Sequence, residues 1–489
     1  MVSRRRAVPL AEHFSLGVSV RWIAKTAALW IFLARGLAST LPCVAQDAGE
    51  RSIGDEINTF RWREDYSFLR VRYDALTLLE RLKFLPLNGS KTDYLSLGGE
   101  VRERVEIYDH QFFGLKPLGY SFTSFATRLL ADGDLHLGSH FRAFAELGSF
   151  WESGRKPASR PADVGDLELQ QGFFDVIATP EADRLTFRFG RQEFPIGSGR
   201  LVAIRDSTNV RLVFDAAKLE WVHGGSTLTA FAGRPVNPGK DIFDSRPTGR
   251  ESFWNLDWTV LRDGRPNTEA FYLGRDMDSA VFGEGGGKEV RHTLGGRLWG
   301  RTLPWDYSVQ ASYQFGTFKD ISIHAWGVAT DTGYSLATLP TRPRLALRAD
   351  VASGDTSTHD NVLQTFEAPY PALNYFSEAA IFAPGNGFDV HPYLQLQPAT
   401  TVTAEVGVAL LWRLHREDAV YRAGGGLLVQ PGVSDGRFVT NIFQINFIWK
   451  PIPFLALQGA FIRAPAGRVV QDAGGNTTTF FLASADLRF

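Results

Sequence analysis

The stretch Tyr94-Leu95-Ser96-Leu97-Gly98-Gly99-Glu100-Val101-Arg102-Glu103-Arg104-Val105-Glu106-Ile107 changes character from one residue to the next. Leu95, Leu97, Val101, Val105 and Ile107 share one parity, and Glu100, Arg102, Arg104 and Glu106 share the other. Successive side chains of a strand point to opposite faces, so the stretch predicts a strand with one apolar and one charged face. A soluble sandwich buries the apolar face of such a strand. A membrane barrel turns that face to lipid and keeps the charged face wet inside. One strand does not choose between them.

The connections do. Alternation of this kind recurs along the chain and predicts eighteen strands between residues 94 and 489. Short connections at 137–140, 179–183, 223–225, 262–267, 398–400 and 451–452 alternate with long ones. The long ones are 109–120, 151–165, 191–213, 236–250, 276–289, 354–386, 416–437 and 464–476, and only the short link at 319–320 breaks the rhythm. Short periplasmic turns alternating with long extracellular loops are the plan of an outer-membrane barrel, and a sandwich has no cause to keep it. The expectation is an all-β transmembrane antiparallel barrel of about eighteen strands at residues 91–489. An even strand count puts both termini on the periplasmic side.

Composition agrees. The 48 glycines and 13% aromatic content favour many short strands joined by turns. The 52 basic residues balance 53 acidic ones, which argues against a nucleic-acid binder. One cysteine excludes a disulfide framework and a cysteine-based zinc site. Beyond residue 45 no run of 18 apolar residues occurs, so no helix spans a membrane, and a closed barrel is the other spanning structure lipid permits.

Arg4-Arg5-Arg6, Arg21 and Lys25, then the apolar 27–34, then Cys43-Val44-Ala45, read as a signal peptide over 1–45, cleaved after Ala45. Pro42 before Cys43 argues against lipidation. Residues 46–90 form a polar N-terminal segment, expected in the periplasm, with a short helix over 74–83. The last strand has an apolar row of Thr479, Phe481, Ala483, Ala485, Leu487 and Phe489, which reads as an assembly signal ending on Phe489 for barrel-assembly machinery.

The inward rows are rich in charge of both signs. They comprise Glu100, Arg102, Arg104, Glu106, Arg128, Asp132, Asp134, Arg142, Glu146, Glu168, Arg184, Arg188, Arg297, Arg344, Arg348, Asp350 and Arg413. Such residues cost a few kcal/mol each facing lipid at mid-depth, so they belong inside. There they either pair across strands and stiffen the wall, or form a guanidinium ring that attracts anions.

Several segments resemble the alginate-export family. They are Phe187-Arg188-Phe189-Gly190-Arg191-Gln192, Gly197-Ser198-Gly199-Arg200, Asn209-Val210-Arg211, Leu97 to Arg102, Tyr375-Phe376 and Leu411-Trp412-Arg413. The Gly-Arg-Gln segment is the most specific, and together they run through nearly the whole chain after the signal. Loop 354–386 and segment 46–90 resemble the broader branch of that family more than the dedicated alginate exporter. The resemblance implies an eighteen-stranded outer-membrane barrel with an arginine-rich constriction that selects anionic polymer; the type member secretes alginate. It implies Arg191 and Arg413 as constriction arginines, with Glu100 and Arg102 beside them. With Arg104, Arg128, Arg142, Arg188 and Arg348 these form the expected substrate pathway.

No enzyme or cofactor site is assembled. Gly283-Glu284-Gly285-Gly286-Gly287-Lys288 has Phe282 and Glu289 where a phosphate loop needs Gly and Ser/Thr. Gly197-Ser198-Gly199 is not a nucleophile elbow, and the ten histidines contain no metal-ligand spacing. The reading is a passive channel for anionic solutes, most of all an exporter of uronate-type polysaccharide such as alginate. The alternatives are a substrate-selective porin for uptake of small nutrients and a structural or adhesion barrel plugged by its own loops. Its partners are outer-membrane lipid, barrel-assembly machinery and the anionic polysaccharide or small anions.

Overall fold

A computed structural model describes residues 51–179 and 183–489. Residues Ile53–Phe489 form one compact unit; the other, Met1–Ser52, lies almost wholly outside the described residues, as do the expected signal peptide and its cleavage site.

Alternation carries through into strands. The first six are β1 (Tyr94–Asp109), β2 (Phe122–Leu137), β3 (Phe141–Ser153), β4 (Gly165–Thr179), β5 (Asp183–Gln192) and β6 (Phe214–His223). Next come β7 (Ser226–Asn237), β8 (Glu251–Val260), β9 (Asn267–Phe282), β10 (Gly285–Thr302), β11 (Trp305–Phe318) and β12 (Ile321–Ser335). The last are β13 (Arg344–Ala352), β14 (Gly387–Ala399), β15 (Val402–Arg413), β16 (Phe438–Ile452), β17 (Leu455–Ala464) and β18 (Thr478–Arg488). Each pairs antiparallel with the next, and β18 pairs with β1 through Val101↔Leu487 and Ile107↔Phe481. The ring therefore has no open edge. Its outward rows expose Phe174, Phe189, Leu294, Phe443 and Phe481, and Trp221, Trp258, Trp305 and Trp449 stand outward close to the short turns. An apolar band edged by aromatics is the face lipid requires.

Several elements depart from expectation. Residues 276–289 are not a loop: β9 and β10 continue to a two-residue turn, Gly283-Glu284, past a bulge between Met277 and Ala280. Gly285, Gly286 and Gly287 pair by backbone alone, so they leave no side-chain period to read. The turn after β16 falls between Ile452 and Leu455, two residues later than expected. The expected helix over 74–83 spans only Leu78–Lys83, because Thr77 and Glu80 form a capping box.

Two long loops turn inward. Loop 193–213 and loop 353–386 join across the lumen through Ala203 N to Tyr370 O, 2.7 Å, and Tyr370 N to Leu201 O, 2.8 Å. Around that junction Phe214, Phe231, Phe253, Phe282, Phe318 and Tyr370 form one buried cluster. The long-loop half of the lumen is thus packed with apolar side chains, and open space lies toward the short turns.

The segment before β1 packs against the wall. Tyr66, Leu69, Leu76 and Phe84 cluster with Tyr94 of β1. Arg61 donates to the Phe489 carbonyl at 2.5 Å and to Asp132 at 3.3 Å. A Cβ on Gly98 would run into Arg61, Asp132 and Lys83, and one on Gly99 into the Phe489 ring. Gly99 is what lets the Phe489 ring close against β1, where the Leu130 carbonyl leaves no room for a side chain.

Candidate functional site

The inward rows fall into two regions with different occupants. On the β1–β6 side every arginine of the expected pathway is held. Glu100 takes Arg128 at 3.0 Å, Arg211 at 3.0 Å and Arg488 at 3.2 Å. Asp206, on the inward loop 193–213, accepts both Nη atoms of Arg128 at 2.9 Å and Nε of Arg211 at 2.6 Å. Arg102 donates to the carbonyls of Asp206 and Thr208, each at 2.7 Å. Desolvation would raise the Asp206 carboxyl, but Arg211 and Arg128 hold it well below the usual carboxylate range. These arginines pin a loop into the lumen rather than line a path.

The neighbours follow suit. Arg142 grips Asp134 with two bonds of 2.7 Å and donates to the Trp62 carbonyl at 2.6 Å. Arg188 grips Asp175 at 2.7 and 2.8 Å and lies over the Trp62 and Phe173 rings. Arg104 pairs with Glu106 at 2.8 Å. Glu193, which accepts the Trp62 indole N–H at 3.3 Å, is pushed up to about 7 by burial, with Arg211 opposing.

Two expected constriction arginines stand elsewhere. Arg191 is a correction: β5 keeps its alternation through Gln192, with Thr186 and Arg188 buried inside and Phe189 exposed outside. Arg191 shares the parity of Phe187 and Phe189, so it faces outward, bound to Asp215 at 2.7 and 3.0 Å. Arg413 does face inward, but it is 1% exposed and lines no path. Its guanidinium sits among loop carbonyls, Gly436 at 2.7 Å, Asp418 at 3.4 Å and Ser434. It fastens loop 414–437 to β15.

On the β9–β17 side the lumen is open. A cavity of about 530 Å³ carries Arg200, Arg297, Arg301 and Arg348 against Asp306 and Asp331. Both aspartates are held by Arg344, at 2.6 and 2.9 Å. Arg297 donates to Ser308 at 3.0 Å and lies over the Trp299 ring, and Arg348 reaches Asp331 only at 3.4 Å. A second cavity of about 250 Å³ lies alongside, bounded by β13–β17 and residues 374–378 of the inward loop. Arg348 and Tyr375 border both cavities. Tyr375 is fixed there by a hydrogen bond from its hydroxyl to Asp350.

Of the expected pathway residues, only Arg348 borders these cavities. Arg297 lies on an inward row by parity, outside the expected pathway. Arg200 and Tyr375 lie on loops, where period two gives no phase, and their sole sequence signal was the family resemblance of their segments. Among the described residues no cluster of metal-ligating side chains occurs.

The model of the alginate export family matches residues 93–483. No curated protein matches the sequence. Among solved structures, Acinetobacter baumannii OccAB1 is similar with a TM-score of 0.54 at 12% identity, over 84% of this chain and 99% of its own. Pseudomonas aeruginosa OpdQ is similar with a TM-score of 0.53 at 12% identity, over 81% and 98%. Pseudomonas aeruginosa OccK2 (OpdF), solved in complex with glucuronate, is similar with a TM-score of 0.52 at 10% identity, over 81% and 98%.

Proposed function

This chain belongs to the alginate export family of outer-membrane channels, and from that premise we propose that it passes uronate-type saccharide anions, above all an anionic polysaccharide such as alginate leaving the cell. The observation that supports the charge preference is the larger cavity, where four arginines face two aspartates already bound to Arg344. Arginine offers a carboxylate a planar fork of donors, and fixed positive charge on a narrow path favours anions. The OccK2 barrel, which shares this fold, was solved with glucuronate, itself a uronate.

One observation favours the second reading, uptake of small nutrients. Tyr375 and Arg348 divide the open lumen into cavities of about 530 and 250 Å³, a size suited to short solutes. The mature protein in planar bilayers tests both. Anion-over-cation permeability, block by polyuronate and reduced block in Arg297→Gln/Arg348→Gln support polymer passage. Current modulated by glucuronate but not by polymer supports the small-solute reading. A barrel that carries no current would overturn both.

A further inference from the structure

The smaller cavity differs in chemistry from the larger. Its wall carries the amides of Asn374, Gln395, Gln444, Asn446 and Gln458 with the hydroxyl of Thr403. Among the described residues the side chains of Gln395, Thr403 and Gln458 make no hydrogen bond to protein. Half-buried side chains of this kind, facing a cavity without a protein partner, offer donors and acceptors to what enters it. Among the described residues Glu378 and Glu405 are the only acids on the wall, and Arg348 the only base.

We infer that this cavity is a hydroxyl-reading subsite for a sugar acid carrying one carboxylate, with the carboxylate at Arg348 and the ring hydroxyls among the amides. The inference rests on the channel reading and adds what selects the body of the solute. Amides and carboxylates present the mixed acceptors and donors that ring hydroxyls match. Phe376 and Tyr375 at the border supply an apolar surface for a ring face. A site built to hydrogen-bond hydroxyls discriminates against a solute lacking them, because its own polar groups then stay unpaired. Glu378 and Glu405 disfavour a second carboxylate at the far end of the solute.

The test is concentration-dependent current block of the mature protein in planar bilayers by glucuronate, hexanoate and glucarate. Glucuronate is expected to bind about tenfold more tightly than hexanoate, the worth of one or two net hydrogen bonds, and glucarate more weakly than glucuronate. Gln395→Leu/Gln458→Leu should erase the glucuronate advantage while chloride-over-potassium permeability stays at the wild-type value. Thr403→Val, a nearly isosteric change, gives a smaller loss in the same direction if the double variant does not fold. Equal block by glucuronate and hexanoate in the wild type, or an undiminished glucuronate preference in the variants, would overturn the subsite. Hydroxyl preference without chloride preference would support it and sink the proposed anion selectivity instead.

Discussion

Arg191 and Asp215 are locked together by two hydrogen bonds of 2.7 and 3.0 Å on the outward-facing row of β5 and β6. The pair neutralises charge on the outward row, where Arg191 also donates to the carbonyls of Leu169 at 3.2 Å and Ser245 at 3.5 Å. Arg191→Ala should destabilise the folded barrel by about 1 kcal/mol, since Asp215 is partly exposed near the strand end rather than at mid-depth. Arg191→Ala/Asp215→Ala should recover most of that loss. Ion selectivity should match the wild type in both. Urea titration in lipid vesicles and reversal potentials check the two halves, and a selectivity change would place Arg191 back on the pathway.

Arg413 is a fastener, so its loss should be felt in the loop it holds. Arg413→Met removes the donors to three loop carbonyls, worth about 2–3 kcal/mol of local stability. Loop 414–437 should become sensitive to protease while anion preference persists.

Tyr375 stands between the two cavities. Tyr375→Ala should raise single-channel conductance by merging them, whereas Tyr375→Phe, which loses only the hydroxyl bound to Asp350, should leave conductance near wild type. Unchanged conductance in the alanine variant would count against the divide.

Glu284, at the tip of the β9–β10 hairpin, is pushed up to about 8 by burial and by the neighbouring Asp355 and Asp418 carboxyls. Its folded form holds a proton that the unfolded chain releases near the ordinary value of 4.5. Stability from this group is therefore fullest below about 4.5 and falls as pH rises through about 8. The protection of residues 353–365, hydrogen exchange taken relative to the intrinsic base-catalysed rate, should fall over that window, and Glu284→Gln should flatten the dependence. An unchanged pH profile in the variant would assign the effect to another group.

Deleting Phe489 should lower the yield of folded barrel, because its backbone pairs with Gly99 in both directions, at 3.0 and 3.1 Å, and its carbonyl takes Arg61. Heat-modifiable gel migration of purified outer membranes measures this, and wild-type yield would remove the role.

The barrel was legible because period two runs through most strands, and it failed where the bulge after Met277 and the glycines 285–287 interrupt it. Glu100, Arg102, Arg104 and Glu106 needed only parity to be placed inside. Arg191 was misplaced because it lies near the point where strand and loop were expected to meet, and its partner lies 24 residues away on the next strand. Nothing in composition marks a cross-strand partner; register does. The pairing of Arg102 and Arg128 with loop 193–213 was equally hidden, since a loop has no phase from which to tell that Asp206 turns inward. The five amides of the smaller cavity come from three strands and a loop, and they become a set only once β14–β17 stand side by side.

The contact of Arg61 with Phe489, together with that of Arg488 with Thr59 at 3.0 Å, ties the segment before β1 to the end of β18. Its seat is composed of pieces that lie at opposite ends of the sequence and meet only when the ring is complete. The part of this unit that precedes every strand therefore completes its seat only where the final strand has joined the first. Its docked state is a record that closure has already happened.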